Sequence, residues 1–334
     1  MKIKLYRPKI SVIMSVNNGE KYLSKSVESI LNQSFRRFEF LILDDASTDS
    51  TWKILNERFD KRIRLFKNHE KKGLTKGLNA LIRKCRGAYI ARIDADDVSW
   101  KERLQEQNDF LDNNPQTDLV SSFCRIIDEE GQELAEYCPG YDPTSLKWAL
   151  IFRNVIRHST VMWRKNLGMY DEGFVYAQDH EMWSRSKNPN MIGKIMADVR
   201  VHPESITWLM NNEQNEFSIE ATRRQIETYS NKKINTEQAK IIKSLCIHKS
   251  QKEIEEFKKI DQKEILESIS TYMCMANGFL EKEEERRQTI IDEICWDLHG
   301  IVTFKPELKE LMIDELKICN NKLTEEILER LANE

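Results

Sequence analysis

The sequence predicts an α/β protein: a mostly parallel, Rossmann-like sheet with flanking helices over residues 1–210, then an all-helical C-terminal domain over residues 211–334. Three observations predict it. Short β-rich runs alternate with helical periodicity up to about Met210. Small polar and acidic residues follow directly on the ends of those runs, where open α/β sheets place their ligands. Nine of the eleven glycines and six of the seven prolines lie before Asn211, so few helix breakers remain beyond it.

Each element follows from its local pattern. Residues 10–16 (ISVIMSV) read as a first strand, a helix-like stretch follows around Tyr22 to Leu31, and residues 38–43 (FEFLIL) read as a second strand. A helix near Trp52 to Phe59 leads to the run at 63–66, and a helix from Leu74 to Cys85 leads to a strand over 88–93. Repeated strand, helix, strand units imply parallel strands covered on both faces. Ser99 and Glu102 have the spacing of a capping box and predict a helix start there. Past Asn211 the apolar residues fall at helical spacing, as in Ile254, Phe257, Ile260 and Ile265, Ile269, Met273.

Composition bounds the function. A chain of 334 residues holds about two domains. Its net charge of −3 advertises no nucleic acid partner. That charge is uneven, +4 before Asn211 and −7 from it onward, so the acceptor is expected on the basic half. Seven scattered cysteines with no C-x-x-C spacing fit a reduced, cytoplasmic compartment. No apolar run approaches the ~20 residues that span a bilayer. Any membrane contact is therefore peripheral, at the inner face of the cytoplasmic membrane. The helical domain is the candidate surface for homo-oligomer formation.

Residues 93–102 (IDADDVSWKE) carry the most chemistry. In extended chain Asp94 and Asp96 project to one side, where two carboxylates repel unless a cation lies between them. Such oxygen ligands suit Mg²⁺ or Mn²⁺. A solvated acidic loop is the usual meaning of an isolated D-x-D, and its place at a strand end argues against that meaning here. Two further strand ends are polar: Asp44-Asp45-Ala46-Ser47, and Ser15-Val16-Asn17-Asn18-Gly19-Glu20. Each alone reads as a turn or helix cap. Together they imply a shared crevice.

These segments, in this order, resemble the family 2 glycosyltransferases with the nucleotide-sugar-binding GT-A fold. The resemblance covers roughly residues 9 to 208 and includes Asn68 to Gly73 with Asn79, His158-Ser159-Thr160, Gly168 to Glu172, Gln178 to Arg185 and Arg200 to Ser205. It implies an inverting, metal-dependent transferase. Asp45 would read the nucleobase of a donor that is by family habit a UDP-sugar, with Ser15, Val16, Asn18, Glu20, Asp44, Lys72, Gly73 and Asn79 around it. Asp94, Ala95 and Asp96 would hold the metal-diphosphate, Asp96 as the direct ligand, with His202 as a further metal ligand and Arg200 at the diphosphate. Asp179 falls at the catalytic base. Ala46 stands where the family often has glycine, and Gln178 where it often has glutamate.

The resemblance further implies a glycan or lipid-linked saccharide acceptor in bacterial surface polysaccharide synthesis. His158 and Trp183 are the acceptor-side candidates, with Trp148, Trp163 and Trp208 as further rings able to stack on a sugar, although each ring alone is more commonly core. Two rivals remain at this stage: a nucleotidyltransferase, which would want a Gly-rich basic loop near the N-terminus, and an inactive sugar-nucleotide sensor recruiting partners through its helices.

Overall fold

The computed structural model describes residues 7–203, 211–246, 251–283, 287–319 and 321–331. Glu204, Ser205 and Trp208 lie outside the described residues. The chain forms two compact units, residues 1–147 with 154–214, and residues 148–153 with 215–334.

In the first unit, strands β1 (Ile10–Val16), β2 (Phe38–Asp45), β3 (Ile63–Asn68) and β4 (Tyr89–Arg92) lie parallel in the order β3-β2-β1-β4. The chain crosses between them through α1 (Leu23–Leu31), α2 (Thr51–Asn56) and α3 (Leu74–Ile82). All eight residues of β2 are buried, as a strand covered on both faces requires. The register pairs Val16 with Asp44 and Asp45 with Asn68, which brings the polar strand ends level. Gly77 lets α3 approach them, since a Cβ there would lie 2.5 Å from Ser15 Oγ.

Beyond β4 the sheet is mixed rather than parallel. It contains β5 (Val98–Ser99), β6 (Leu119–Ile127), β7 (Glu133–Tyr137), β8 (Met162–Arg164) and β9 (Pro189–Arg200), with helices α4 (Arg103–Asn113), α5 (Pro143–Phe152) and α6 (Gln178–Ser184). Strand β8 is antiparallel to both β4 and β6, β9 runs parallel to β6, and β5 closes the far edge antiparallel to β9. The expected capping box does not form. Ser99 is drawn into β5 opposite Ala197, its Oγ accepts from Gln33 Nε2, and α4 starts only at Arg103.

The second unit is helical: α7 (Asn211–Ser230), α8 (Thr236–Leu245), α9 (Gln251–Phe257), α10 (Gln262–Leu280), α11 (Arg287–Phe304), α12 (Lys309–Cys319) and α13 (Lys322–Leu331). Ile265, Ile269, Met273 and Phe279 sit in its core as their spacing predicts. Gly278 permits a close crossing, because a Cβ there would lie 2.0 Å from the Tyr229 carbonyl. Trp148, Ile151 and Phe152 of α5 share this core, with the Trp148 ring 5.0 Å from Phe279. A boundary read from composition near residue 210 has no means of showing that excursion. Among the described residues no helix is long and apolar enough to cross a membrane.

One helical residue opposes its surroundings. Lys243 on α8 is buried, bonded to Ser218 Oγ, and burial pulls its pKa down to about 8. The unfolded chain binds that proton more tightly, so the residue costs stability in full below about pH 8, and the cost fades as pH rises toward 10.5. Lys243→Met is expected to stabilise the protein by about 2 kcal/mol at pH 7. The gain over wild type should shrink above pH 8, as measured by chemical denaturation across pH.

Candidate active site

The loops after β1 and β2 are tied together by short polar bonds. Asn17 Nδ2 donates to the Asp45 carbonyl at 2.9 Å, and Asn18 Oδ1 accepts from Thr48 N at 2.8 Å. Glu20 Oε2 accepts from Ser50 N at 2.8 Å, while Glu20 N donates to Asp49 at 3.1 Å. The side chains of Asn18 and Glu20 are thus spent on the neighbouring loop, where they shape the crevice wall. Val16 is buried behind it and Ser15 half-buried against α3. Ala46 takes a left-handed φ of 59°, the conformation that makes glycine common there.

Asp44 and Asp45 point to opposite sides of β2. Asp44 is fully buried; Oδ1 accepts from Ser47 N at 2.9 Å and Oδ2 lies 3.8 Å from Lys67 Nζ. Asp45 gathers the next loop, accepting from Asn68 Nδ2 at 2.7 Å and from the backbone N–H groups of Lys72 and Gly73. Lys72 N is shared between both oxygens, so four bonds meet the roughly four acceptor sites of the carboxylate and tie it to the loop. The Lys72 side chain itself is exposed.

At the end of β4, oxygens of Asp94, Asp96 and Asp97 come within 4.8 Å of one another. Both Asp94 oxygens are gripped by the Arg92 guanidinium, and Ser159 Oγ accepts from Asp94 N at 2.9 Å. Asp96, half-buried after Ala95, meets His202 Nε2 at 3.0 Å. Asp97, buried, accepts from Arg200 N at 2.8 Å. Burial raises Asp94, against the pull of Arg92, and drives Asp97 well up with help from Asp96 and Asp94. Three hard oxygen donors short of positive charge fit a divalent cation. Arg200 is engaged elsewhere. Its Nε donates to the Asp96 carbonyl, its Nη1 to the carbonyls of Asp128 and Glu129, and its guanidinium lies 4.4 Å from the centre of the Tyr22 ring. It braces the loop that carries Asp96.

Asp179 opens α6, just after Ala177 in a left-handed turn with φ 50°. Its oxygens accept from Asn154 Nδ2 at 2.8 Å and His180 N at 2.9 Å. Its surroundings supply only neutral donors, and burial lifts its pKa above the ordinary aspartate value. Behind it Trp163, Tyr170, Trp183 and His158 form an edge-to-face cluster, with Trp163 and Trp183 5.5 Å apart.

The packing of these rings and of Trp148 corrects four expectations. Trp183 and Trp163 are fully enclosed, so neither offers a face to a sugar, and Trp148 lies in the helical core. His158 bonds Tyr170 Oη at 2.8 Å and burial keeps it neutral, which makes it packing beneath Ser159. Asn79 is likewise spent: Nδ2 donates to the Tyr170 carbonyl and Oδ1 accepts from Tyr170 N. Sequence reasoning missed Arg92, Ser159, Asp97 and Asn154. Arg92 had a signal, a charged residue inside an apolar strand; Asn154 had none.

The polar strand ends, the acidic cluster and Asp179 thus all belong to the α/β unit. Over residues 11–167 the sequence matches the family model described as Glycosyl transferase family 2. The O-antigen biosynthesis glycosyltransferase WbnJ of Escherichia coli is 30% identical over 211 residues, 59% of this chain and 81% of that protein. An uncharacterised glycosyltransferase of Methanocaldococcus jannaschii is 35% identical over 187 residues, 54% of this chain, which spans 64% of that protein's length. S. aureus TarS in complex with UDP-GlcNAc shares the fold, with a TM-score of 0.60 at 16% identity over 90% of this chain and 92% of that one. The chain belongs to glycosyl transferase family 2.

Asn79 gives the first test of the site's division between scaffold and ligand. Asn79→Ala strands the buried N–H and C=O of Tyr170, and a loss of about 2 kcal/mol is expected in denaturant titration. Any nucleotide affinity of the wild-type protein should stay within about twofold in the folded variant, since the Asn79 amide bonds Tyr170 and Glu172 within the protein.

Proposed function

We propose that the protein is an inverting glycosyltransferase that moves a sugar from a UDP-sugar to a hydroxyl of a glycan or lipid-linked saccharide in bacterial surface polysaccharide synthesis. One observation carries the reading: an acidic cluster at a strand end and, apart from it, a carboxylate held by neutral donors. Pairs of acids in such different environments mark different roles. WbnJ, an O-antigen biosynthesis glycosyltransferase, and TarS, which binds UDP-GlcNAc, support the choice of pathway and donor.

Asp96 and Asp94, with His202 beside them, would hold a divalent cation, Mn²⁺ or Mg²⁺, which would supply positive charge against the departing diphosphate. Asp45 and the 68–73 loop that it organises take the base. Asp179 accepts the acceptor hydroxyl's proton as that oxygen attacks the anomeric carbon from the face opposite the diphosphate. One displacement inverts the centre, so an α-linked donor yields a β-glycoside.

Thermal-shift measurements with nucleotide sugars, with and without Mn²⁺, test the donor assignment. Selective stabilisation by one UDP-sugar plus metal is expected, and no shift with any nucleotide sugar overturns it. Asp96→Asn should abolish both the metal-dependent shift and transfer.

Asp179→Asn should fold, bind donor and lose roughly 10²- to 10⁴-fold in turnover. A helix cap tolerates Asn almost unchanged, so near-normal turnover refutes the base. The base works ionised and its pKa is raised by burial, so kcat/KM should climb with pH through a limb above the ordinary aspartate range. Asn154 favours the ionised form, so Asn154→Ala should move that limb to still higher pH.

A further inference from the structure

Arg92 is 2% exposed, the one charged residue of β4, and it cannot reach water. Both of its Nη atoms go to the two oxygens of Asp94, while Nε has no hydrogen-bond partner. Behind it Arg103, also buried, donates to the Arg92 carbonyl at 2.7 Å and otherwise to neutral acceptors on Ser99, Gln107 and Val161. Two guanidinium groups are therefore enclosed behind three carboxylates. Burying an ion pair is at best neutral for stability when compared with apolar side chains of the same size. Packing alone gives no reason for this one, and its position beside the metal-type cluster does.

We propose that Arg92 is a positioning residue for the donor site: its fork fixes Asp94 and cancels one of the three negative charges, so that the cluster binds a divalent cation weakly until a diphosphate arrives with it. This rests on the glycosyltransferase reading of the same site. With Asp94 gripped at both oxygens, a cation must compete with a guanidinium for that carboxylate and is repelled by it. Asp96, whose carboxylate bonds His202 and pairs with no arginine or lysine among the described residues, stays the open ligand. The diphosphate restores negative charge and makes the assembled site favourable. An enzyme arranged in this way takes up metal and nucleotide together and is not trapped by metal alone.

The test is Mn²⁺ binding to the full chain without nucleotide, read from the electron paramagnetic resonance signal of free Mn²⁺, for wild type, Arg92→Met and Arg92→Lys. Arg92→Met should bind Mn²⁺ roughly tenfold more tightly or better, and most of that gain should vanish when UDP is added. Its turnover should fall with the loss of a fixed Asp94. Arg92→Lys keeps a charge without the fork and should show a smaller gain in the same direction together with reduced kcat. A merely structural arginine predicts weaker Mn²⁺ binding in both variants, and unchanged or weaker binding overturns the inference. If Arg92→Met does not fold, Arg92→Lys decides by the same criterion. Asp96→Asn separates the two levels: loss of Mn²⁺ binding there upholds the metal site and leaves Arg92 to be judged alone, whereas wild-type binding overturns the site and the inference with it.

Discussion

The crowding of carboxylates at the carboxyl ends of parallel strands is the constraint from which the rest of the structure follows. Asp44 and Asp45 at the end of β2 and Asp94, Asp96 and Asp97 just after β4 flank the end of β1, and all five are at least partly removed from water. Unpaired buried charge is costly. Each carboxylate has therefore recruited a donor from elsewhere: Ser47 for Asp44, the 68–73 loop for Asp45, Arg92 for Asp94, His202 for Asp96 and the Arg200 backbone for Asp97. The loops are ordered because the acids need them.

Backbone strain follows the same logic. Non-glycine residues adopt left-handed φ at Asn18, Ala46 and Ala177, all in loops that shape the site. Such conformations cost of the order of 1 kcal/mol and persist where surrounding bonds over-determine them. Asn17 and Ser47 clamp the chain on either side of Ala46, and the turn at Ala177 delivers Asp179 to Asn154.

Much of this was legible in the sequence, for reasons that differ by element. The parallel strands announce themselves because burial on both faces demands unbroken apolar runs, and the acid clusters stand out because they interrupt those runs. Partners that arrive from far along the chain leave no local trace. Asn154 reaches Asp179 across 25 residues and Ser159 reaches Asp94 across 65. Asn79, Asn18 and Glu20 look like ligands in sequence because polar residues near a crevice serve either the ligand or the crevice, and only their hydrogen bonds tell which. Ser99 misled for a related reason: a capping spacing yields when strand pairing claims the same backbone. The antiparallel β8 and the α5 segment in the helical core are tertiary choices that periodicity does not encode.

The two acidic centres differ in the sign of what surrounds them, and that difference links the chemistry to the fold. Asp94 is held by a guanidinium and a hydroxyl, which fix it in place and favour its charged form against the desolvation that raises its pKa. Asp179 has an amide and a backbone N–H, which orient it without neutralising it, and desolvation makes it a stronger base than an aspartate in water. Arg92 is felt by both, favouring the ionised form of each. Desolvation raises the pKa of both carboxylates, and the one buried guanidinium opposes that rise at each, so two acids from separate parts of the chain share one electrostatic anchor.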